Sequence, residues 1–600
     1  MKWLKQWWFW GLLALSALAV AFAPLPSPAP SGQVKTLRLE AGQFAYRPAE
    51  LRVNVGDTVV LQLVSTDVVH GVYVDGYGVS ATAEPGQTAT LTFTADRVGT
   101  FRLRCNVTCG ALHPFMIGKI TVGRNDALYR ALGLLVLVGL ALVSTRSTNF
   151  RSVPAVRNFD LTRFPFLKTL LKSRYPQWVL SLILLGGYLF AIVSGFVSTP
   201  VGNHNVAIVF VWILWWALLI LLAVPFLGRC WCSVCPIPLP GEWIQRGSFL
   251  EPPSQQPRWL NRPWPKALRN IWLQNASFTL LALFSGVLLT TPHVTALVLA
   301  ILLFLATGLS LIFERRAFCR YLCPVGGFIG LYAQGAPIEL RVREKQICTT
   351  CREKPCYNGS VNGYGCPWNV FPGGLSKNTY CGLCLECLRT CPHENIALRL
   401  RPFGADLSGT LPRPRLDEAF KAFLMIGAAL FYAATWLGPW GGLKEAAYAI
   451  GSTAWAIYLL AFLGFTFLLL PLLFSLTLMR RPFHLPQAKT LAHFSLALIP
   501  LGLAFWIAFS LSFVLTNFSY VLTTLSDPFA LGWNLFGSAH SGWSPFFPSL
   551  LPALQIAVLL GGFLWSARTL YTLADQETSR PYPALAYNAA LTSLMLWLLL

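Results

Sequence analysis

Hydrophobic runs of about 20 residues recur along this chain, the length a helix needs to cross the ~30 Å hydrocarbon core of a bilayer. They fall near residues 127–145, 177–197, 206–227, 271–291, 294–313, 419–439, 452–475, 491–514, 551–571 and 584–600. A segment in lipid must satisfy its own backbone hydrogen bonds, so each run is expected to be a helix. With the apolar N-terminus this predicts a polytopic α-helical membrane protein of about 10–11 transmembrane helices. Of 600 residues, 55% are hydrophobic and only 12% charged, which excludes an ordinary soluble chain. Loop charge orients the helices. Arg146, Arg151, Arg157, Arg163, Lys168, Lys172 and Arg174 crowd residues 146–176, while 198–205 and 515–550 contain neither Lys nor Arg. The positive-inside rule therefore puts 146–176 in the cytoplasm. The net charge of +22 is read as loop charge on that side, so no nucleic-acid partner is expected.

Residues 1–23, MKWLKQWWFWGLLALSALAVAFA, put Lys2 and Lys5 ahead of an apolar run, as in a signal peptide or signal anchor. Pro24 directly behind the small residues disfavours cleavage. The Pro/Ser-rich stretch 24–34 is a linker. From 35 to 123 apolar and polar residues alternate. LRVNVGDTVVLQLV and TATLTFTADRVGTFRLRC read as strands of a small β-sandwich, placed outside the membrane by the charge map.

The sandwich ends in CNVTCGALHPFM, where Cys105, Cys109, His113 and Met116 are spaced C-x3-C-x3-H-x2-M. His70, in DVVHG, closes an earlier predicted strand. Thiolate, imidazole and thioether together suit copper. A single-copper site needs one cysteine, whereas two on one loop can bridge two ions. A Cys105–Cys109 disulfide is the competing reading for an extracytoplasmic pair. DVVHG, VGTF and CNVTCGALHPFM together resemble the binuclear copper (CuA) cupredoxin domain of cytochrome c oxidase subunit II and of nitrous oxide reductase. The resemblance implies that His70 and His113 each cap one copper and that Cys105 and Cys109 bridge the pair. It also makes Met116 and the backbone carbonyl of Val107 weak axial ligands. The oxidase family usually has Glu where Val107 stands, a change that a backbone ligand tolerates.

The other thirteen of the fifteen cysteines lie between Cys230 and Cys391, in loops that span counting assigns to the cytoplasm. CGLCLECLRTCP sets Cys381, Cys384, Cys387 and Cys391 as C-x2-C-x2-C-x3-C-P, the bacterial ferredoxin run whose fourth cysteine serves the other cluster. CTTCREKPC and GCP add Cys348, Cys351, Cys356 and Cys366. By that exchange, Cys348, Cys351, Cys356 and Cys391 would hold one 4Fe-4S cluster, and Cys366, Cys381, Cys384 and Cys387 the second. Both belong to a ferredoxin-like module over 341–400. Structural zinc is the alternative, and disulfides do not suit a reducing cytoplasm.

Two further groups follow apolar runs: GRCWCSVCPIP, with Cys230, Cys232 and Cys235, and RRAFCRYLCPVGG, with Cys319 and Cys323. With the ferredoxin run and LKTLLKSRYPQW they resemble the NosR/NapH-type membrane polyferredoxins over 160–400. That family has paired C-x3-C-P motifs behind its second and fourth core helices. Cys319 and Cys323 match; the first motif reads C-x2-C-P, with Cys230 as an extra neighbour. The resemblance implies a redox or metal role for these five, against plain buried thiols. Membrane domains are expected over 127–340 and 415–600.

No G-x-G-x-x-G fingerprint or P-loop is present. The apolar runs hold almost no Asp or Glu, so proton pumping by this chain alone is not expected. His493, in TLAHFSLALIP, is the notable intramembrane ionisable residue: a quinone or haem contact, or simply a hydrogen-bonded histidine. His484 and His540 lie in loops. The resulting expectation is an electron-carrier component of a prokaryotic cytoplasmic membrane rather than a stand-alone catalyst. Copper lies outside and iron–sulfur inside. Quinol or a cytoplasmic donor would feed it, and an extracytoplasmic reductase or cytochrome would accept, with a nitrogen-oxide reductase such as nitrous oxide reductase the natural acceptor. Two rivals stand beside it: a redox-driven factor for assembling copper sites, and a subunit II-like component of a terminal oxidase. A hydrocarbon core of ~30 Å is too thick for one useful electron hop, so a quinone, a haem or a partner subunit must bridge the ends, or the two ends must serve separate steps.

Overall fold

The computed structural model describes residues 2–26, 29–144, 158–247, 259–408, 415–479, 487–577 and 581–600. Arg146, Arg151 and Arg157 of the basic loop, Ser27 and Pro28 of the linker, and His484 lie outside the described residues.

The β-patterned segment folds into strands β1 (Val34–Gly42), β2 (Ala45–Arg47), β3 (Glu50–Val53), β4 (Thr58–Ser65), β5 (His70–Val74), β6 (Val79–Ala83), β7 (Thr88–Thr94), β8 (Gly99–Arg104) and β9 (Ile117–Val122). They form two sheets, ordered β2-β1-β4-β7 and β3-β9-β8-β5-β6. Period-two alternation decides the faces. In β4 every second residue is buried, and Val59, Leu61 and Leu63 meet Leu39, Val72, Val74, Leu103 and Ile120 in one core. Each such side chain contributes about 1.5–3 kcal/mol by leaving water. β9 runs after a short turn into the first long apolar helix, Asp126–Ser144.

Among the described residues nine helices are long and apolar enough to cross a membrane. They are Asp126–Ser144, Tyr175–Val197, Val206–Leu227, Pro292–Ile312, Leu416–Leu437, Thr453–Leu478, Gln487–Asn517, Leu551–Gln576 and Tyr582–Leu599. The N-terminal helix and the run at 271–291 stand beside these nine, in line with the expected polytopic helical membrane protein of about 10–11 spans. The N-terminal helix spans Lys2–Phe22, with an apolar stretch at Trp8–Phe22. It packs on the next helix, where Arg130 donates to the carbonyls of Val20, Ala21 and Ala23. The run at 271–291 is not one helix but two, Trp272–Leu283 and Ser285–Leu288, broken where Phe284 leaves helical geometry at φ −98° and ψ 12°. The break lets Gly286 approach the chain closely: a Cβ there would meet the Ala447 carbonyl oxygen at 3.0 Å. The segment still traverses the bundle. Its start, Ile271, donates to Asp417 at one end, and Thr290 reaches Gly202 at the other.

The cysteine-rich segment is framed by β11 (Ile338–Val342) and β12 (Ile396–Leu400), antiparallel neighbours, with β10 (Phe159–Asp160) added on the far side of β12. Buried ion pairs brace this module and the loops around it, and Arg174–Glu386 and Lys377–Glu418 tie it to the starts of two membrane helices. Arg316 pairs with Glu242, and Arg401 with Asp406 and Glu339. Burial pushes the Glu242 carboxyl up, but Arg246 and Arg316 outweigh it and bring the pKa to about 2. An unmatched buried charge is costly, so Arg316→Met should lower stability by about 3–5 kcal/mol. Adding Glu242→Leu should restore much of that loss. Thermal unfolding of the detergent-solubilised single and double variants reads both outcomes.

Candidate metal centres

β8 delivers Cys105 and β5 begins at His70; the two strands pair with Arg104 opposite Tyr73, so the loop after β8 closes over the start of β5. Gly71 makes room for this, since a Cβ there would fall 1.9 Å from the Asn106 side-chain oxygen. The loop then turns through a 3-10 segment, His113–Phe115, with Pro114 inside it, and re-enters the sheet at Ile117.

All the predicted outer ligands converge. Donor atoms of His70, Cys105 and Cys109 lie within 4.8 Å of one another, and all three residues are buried. Cys109 Sγ is 3.6 Å from His113 Nδ1 and 3.8 Å from Met116 Sδ. Cys105 Sγ is 3.1 Å from the Val107 carbonyl oxygen. His70 Nε2 faces Asp67 Oδ1 at 2.7 Å, while its Nδ1 is buried without a hydrogen-bond partner. His113 is arranged likewise: Nε2 lies 3.0 Å from the Tyr520 hydroxyl, leaving Nδ1 toward the sulfurs. An orphaned ring nitrogen beside two thiols, a thioether and a second imidazole fits a copper site. Electrostatics agree. The Cys109 hydrogen bond, aided by His113 and His70, pulls the Cys105 thiol down, whereas Cys105 and burial push Cys109 up. One thiolate forms readily, and the second needs the charge of a bound cation.

Inside, the eight ferredoxin-type cysteines separate into two sets. Cys348, Cys351, Cys356 and Cys391 line one cavity with Pro355, Phe371 and Asn395. Burial first, then its three neighbouring thiols, pushes Cys356 up to about 12. Cys366, Cys381, Cys384 and Cys387 form the other set; burial raises Cys387, and the other three thiols raise it further. Cys387 also feels Cys356, so the sets adjoin. Single tetrahedral zinc holds thiolates ~3.8 Å apart. Among the described residues only the His70–Cys105–Cys109 group brings three donors within 4.8 Å, so the inner thiols stand wider than one ion requires.

Four of the remaining five cysteines also come together. Burial, followed by Cys323, Cys235 and Cys232, raises Cys319; Cys235 and Cys323 are raised by burial and by members of the same group. Cys230, beside Cys232, also packs against the ferredoxin core. His493 is buried near Glu577 and Leu573, its Nε2 without a hydrogen-bond partner. His540 is exposed.

Several contributors escaped the sequence reading. Asp67 and Tyr520 hold the two imidazoles. Asn395 donates its backbone N–H to Cys391 Sγ and its amide to Cys348 Sγ, each at 3.4 Å. Arg316 lies near both Cys319 and Cys384. Asp67 has a local signal, three residues before His70; Tyr520 has none.

Residues 5–122 match the family model of the cytochrome c oxidase subunit II periplasmic domain. Residues 208–266 and 294–343 match that of a 4Fe-4S binding domain, and these two stretches contain the Cys230–Cys235 and Cys319–Cys323 motifs. The chain is 36% identical over 87 residues to cytochrome c oxidase subunit 2 of Thermus thermophilus, covering 14% of this chain and 64% of that one. It is 35% identical over 82 residues to nitrous-oxide reductase of Pseudomonas fluorescens, 13% of each. A similar stretch of nitrous-oxide reductase from Stutzerimonas stutzeri is 37% identical over 82 residues, again 13% of each. The chain thus spans less than two thirds of each of these relatives. The N-terminal domain is a copper-binding cupredoxin domain, and 4Fe-4S modules follow it behind membrane helices.

The division of the inner cysteines makes a sharp prediction. Cys391→Ser should remove the cluster of the Cys348 set, about four irons per chain, and spare the set containing Cys381, Cys384 and Cys387. Iron analysis with Mössbauer spectroscopy on the anaerobically purified variant checks it. Loss of the other cluster would mean that Cys391 serves its sequence neighbours instead.

Proposed function

We propose that this electron-transfer chain, a subunit II-type cupredoxin domain joined to 4Fe-4S modules in a membrane, connects quinol or a cytoplasmic donor with an extracytoplasmic reductase. A nitrogen-oxide reductase such as nitrous oxide reductase is the favoured acceptor. The observation that carries the reading is that two chemically different donor sets are built in full at opposite ends of one helical bundle. When bound, the copper pair and the clusters supply one-electron chemistry. His70 and His113 present Nδ1 while Asp67 and Tyr520 keep the Nε2 protons. Cys105 and Cys109 would hold the copper together with these imidazoles, with Met116 and the Val107 carbonyl also at hand. Cys348, Cys351, Cys356 and Cys391 hold one cluster, and Cys366, Cys381, Cys384 and Cys387 the other. Cys232, Cys235, Cys319 and Cys323 form a further redox site, supported by the family match over both segments. The inner side is the cytoplasm, as the loop charges argue.

Burial favours a conduit over a copper-assembly factor. Cys105 and Cys109 are each 4% exposed and His113 3%, and Tyr520 of the membrane domain covers His113, so the site holds its donors away from an incoming protein. The terminal-oxidase alternative needs a haem–copper partner. EPR with metal analysis on anaerobically purified full-length protein tests the proposal. We expect a binuclear copper signal and, after reduction, 4Fe-4S signals, with no haem. Zinc in place of both would overturn it, and co-purifying haem with oxygen consumption would favour the oxidase reading.

A further inference from the structure

Most of the outer domain's contacts with the membrane helices are structural, but one reaches a copper ligand. His113, 3% exposed, lies with Nε2 3.0 Å from the hydroxyl of Tyr520, itself 5% exposed. Tyr520 belongs to the short helix Ser519–Ser526, just beyond the outer end of Gln487–Asn517. A second element supports it. Asn203, in the connection between two membrane helices, lies beside Tyr520 and donates its amide to Thr108 Oγ1 at 3.0 Å. The His204 ring meets the Tyr520 ring edge-on at 5.7 Å. The copper loop is therefore tied to the membrane domain at Thr108, between its cysteines, and at His113.

The consequence follows from the two ring nitrogens. His113 Nδ1 faces Cys109 Sγ at 3.6 Å, so the proton of the neutral ring sits on Nε2 and needs a buried acceptor. The Tyr520 oxygen is that acceptor. Partners of this kind fix the tautomer and orientation of a ligating imidazole and tune the metal. The other imidazole has no such link: His70 donates to Asp67 within its own domain.

Building on the copper reading above, we propose that Tyr520 is the positioning residue for the His113 half of the copper centre. The His113–Tyr520 hydrogen bond is then the electronic contact between that centre and the membrane domain. The reduction potential of the centre is set by the docking of the outer domain on the bundle, not by the cupredoxin fold alone.

The test uses full-length, copper-loaded protein in detergent and compares wild type, Tyr520→Phe, Tyr520→Gln and Trp543→Phe. Trp543 packs on Tyr73 at the same interface, 5.5 Å between ring centroids, and serves as a control. Three quantities are read: copper retention against a chelator, the nitrogen hyperfine couplings of the two imidazoles, and the midpoint potential. Tyr520→Phe should weaken retention on the order of 10–100-fold, shift one imidazole coupling and leave the other, and move the potential. Tyr520→Gln, whose amide oxygen can accept the same N–H, should recover toward wild type, and Trp543→Phe should match wild type throughout. Phe and Gln variants that behave alike, whether both normal or both copper-free, overturn the inference. A wild-type chain that binds no copper would instead overturn the copper reading itself.

Discussion

His113 and Met116 turn toward the two sulfurs while Phe115, between them, turns the opposite way and stacks on Phe513 at 5.6 Å, 9° from parallel. Three residues per turn in a 3-10 segment send neighbouring side chains in different directions, so one short turn serves both the metal and the membrane. Trp436 lies against the other side of Phe115, 5.0 Å between centroids. Such pairs add about 0.5–1.5 kcal/mol each beyond the area they bury. Arg102 reinforces the seat by donating to the carbonyls of Leu437 and Leu599, the final carbonyls of two membrane helices, where helix dipoles favour a cation. The copper site cannot be displaced from the bundle without also losing the geometry of its own loop.

The inner end follows the same logic with charge in place of stacking. Cluster thiolates are anions in a poorly solvated place, and arginines are distributed around them. Arg229 lies over the Trp368 ring at 4.2 Å and bonds the Thr379 carbonyl. Arg320 donates to the carbonyls of Trp368 and Asn369, and Arg316 spans Glu242 and the Cys232 carbonyl. Trp368, almost completely buried, is wedged into this group of cations beside the second cysteine set. Removing any one of these side chains would leave a charge or a carbonyl without a counterpart in a low-dielectric setting.

The ligand residues were legible because cysteine and histidine spacing carries chemistry directly. C-x3-C-x3-H-x2-M and C-x2-C-x2-C-x3-C-P name donors directly; the structure gathers the first set on one loop and sends Cys391 of the second to the cavity of Cys348, Cys351 and Cys356. What was not legible depends on contacts far apart in the chain or on backbone geometry. Tyr520 meets His113 across 407 positions and nothing near either residue announces it. Hydropathy reads composition, so it sees 271–291 as one span although the helix breaks at Phe284. β10 is a two-residue strand, too short to carry a period, yet it extends the ferredoxin sheet and brings Asp160 to Arg343. The neighbourhood of Cys232, Cys235, Cys319 and Cys323 likewise needed tertiary structure to appear.

The two imidazole partners differ in kind. Asp67 is an anion whose side chain is 37% exposed, whereas Tyr520 is a neutral phenol in a dry interior. The centre therefore has a wet pole and a dry pole. Ionic strength and solvent polarity act on the carboxylate–imidazole bond at His70 and leave the phenol–imidazole bond at His113 untouched. A molecule settling over the 66–69 loop would strip water from Asp67 and strengthen its grip on His70, because the same charges interact more strongly as the local dielectric falls. The chain presents its surroundings with one adjustable side of a centre whose other side is fixed by the membrane domain.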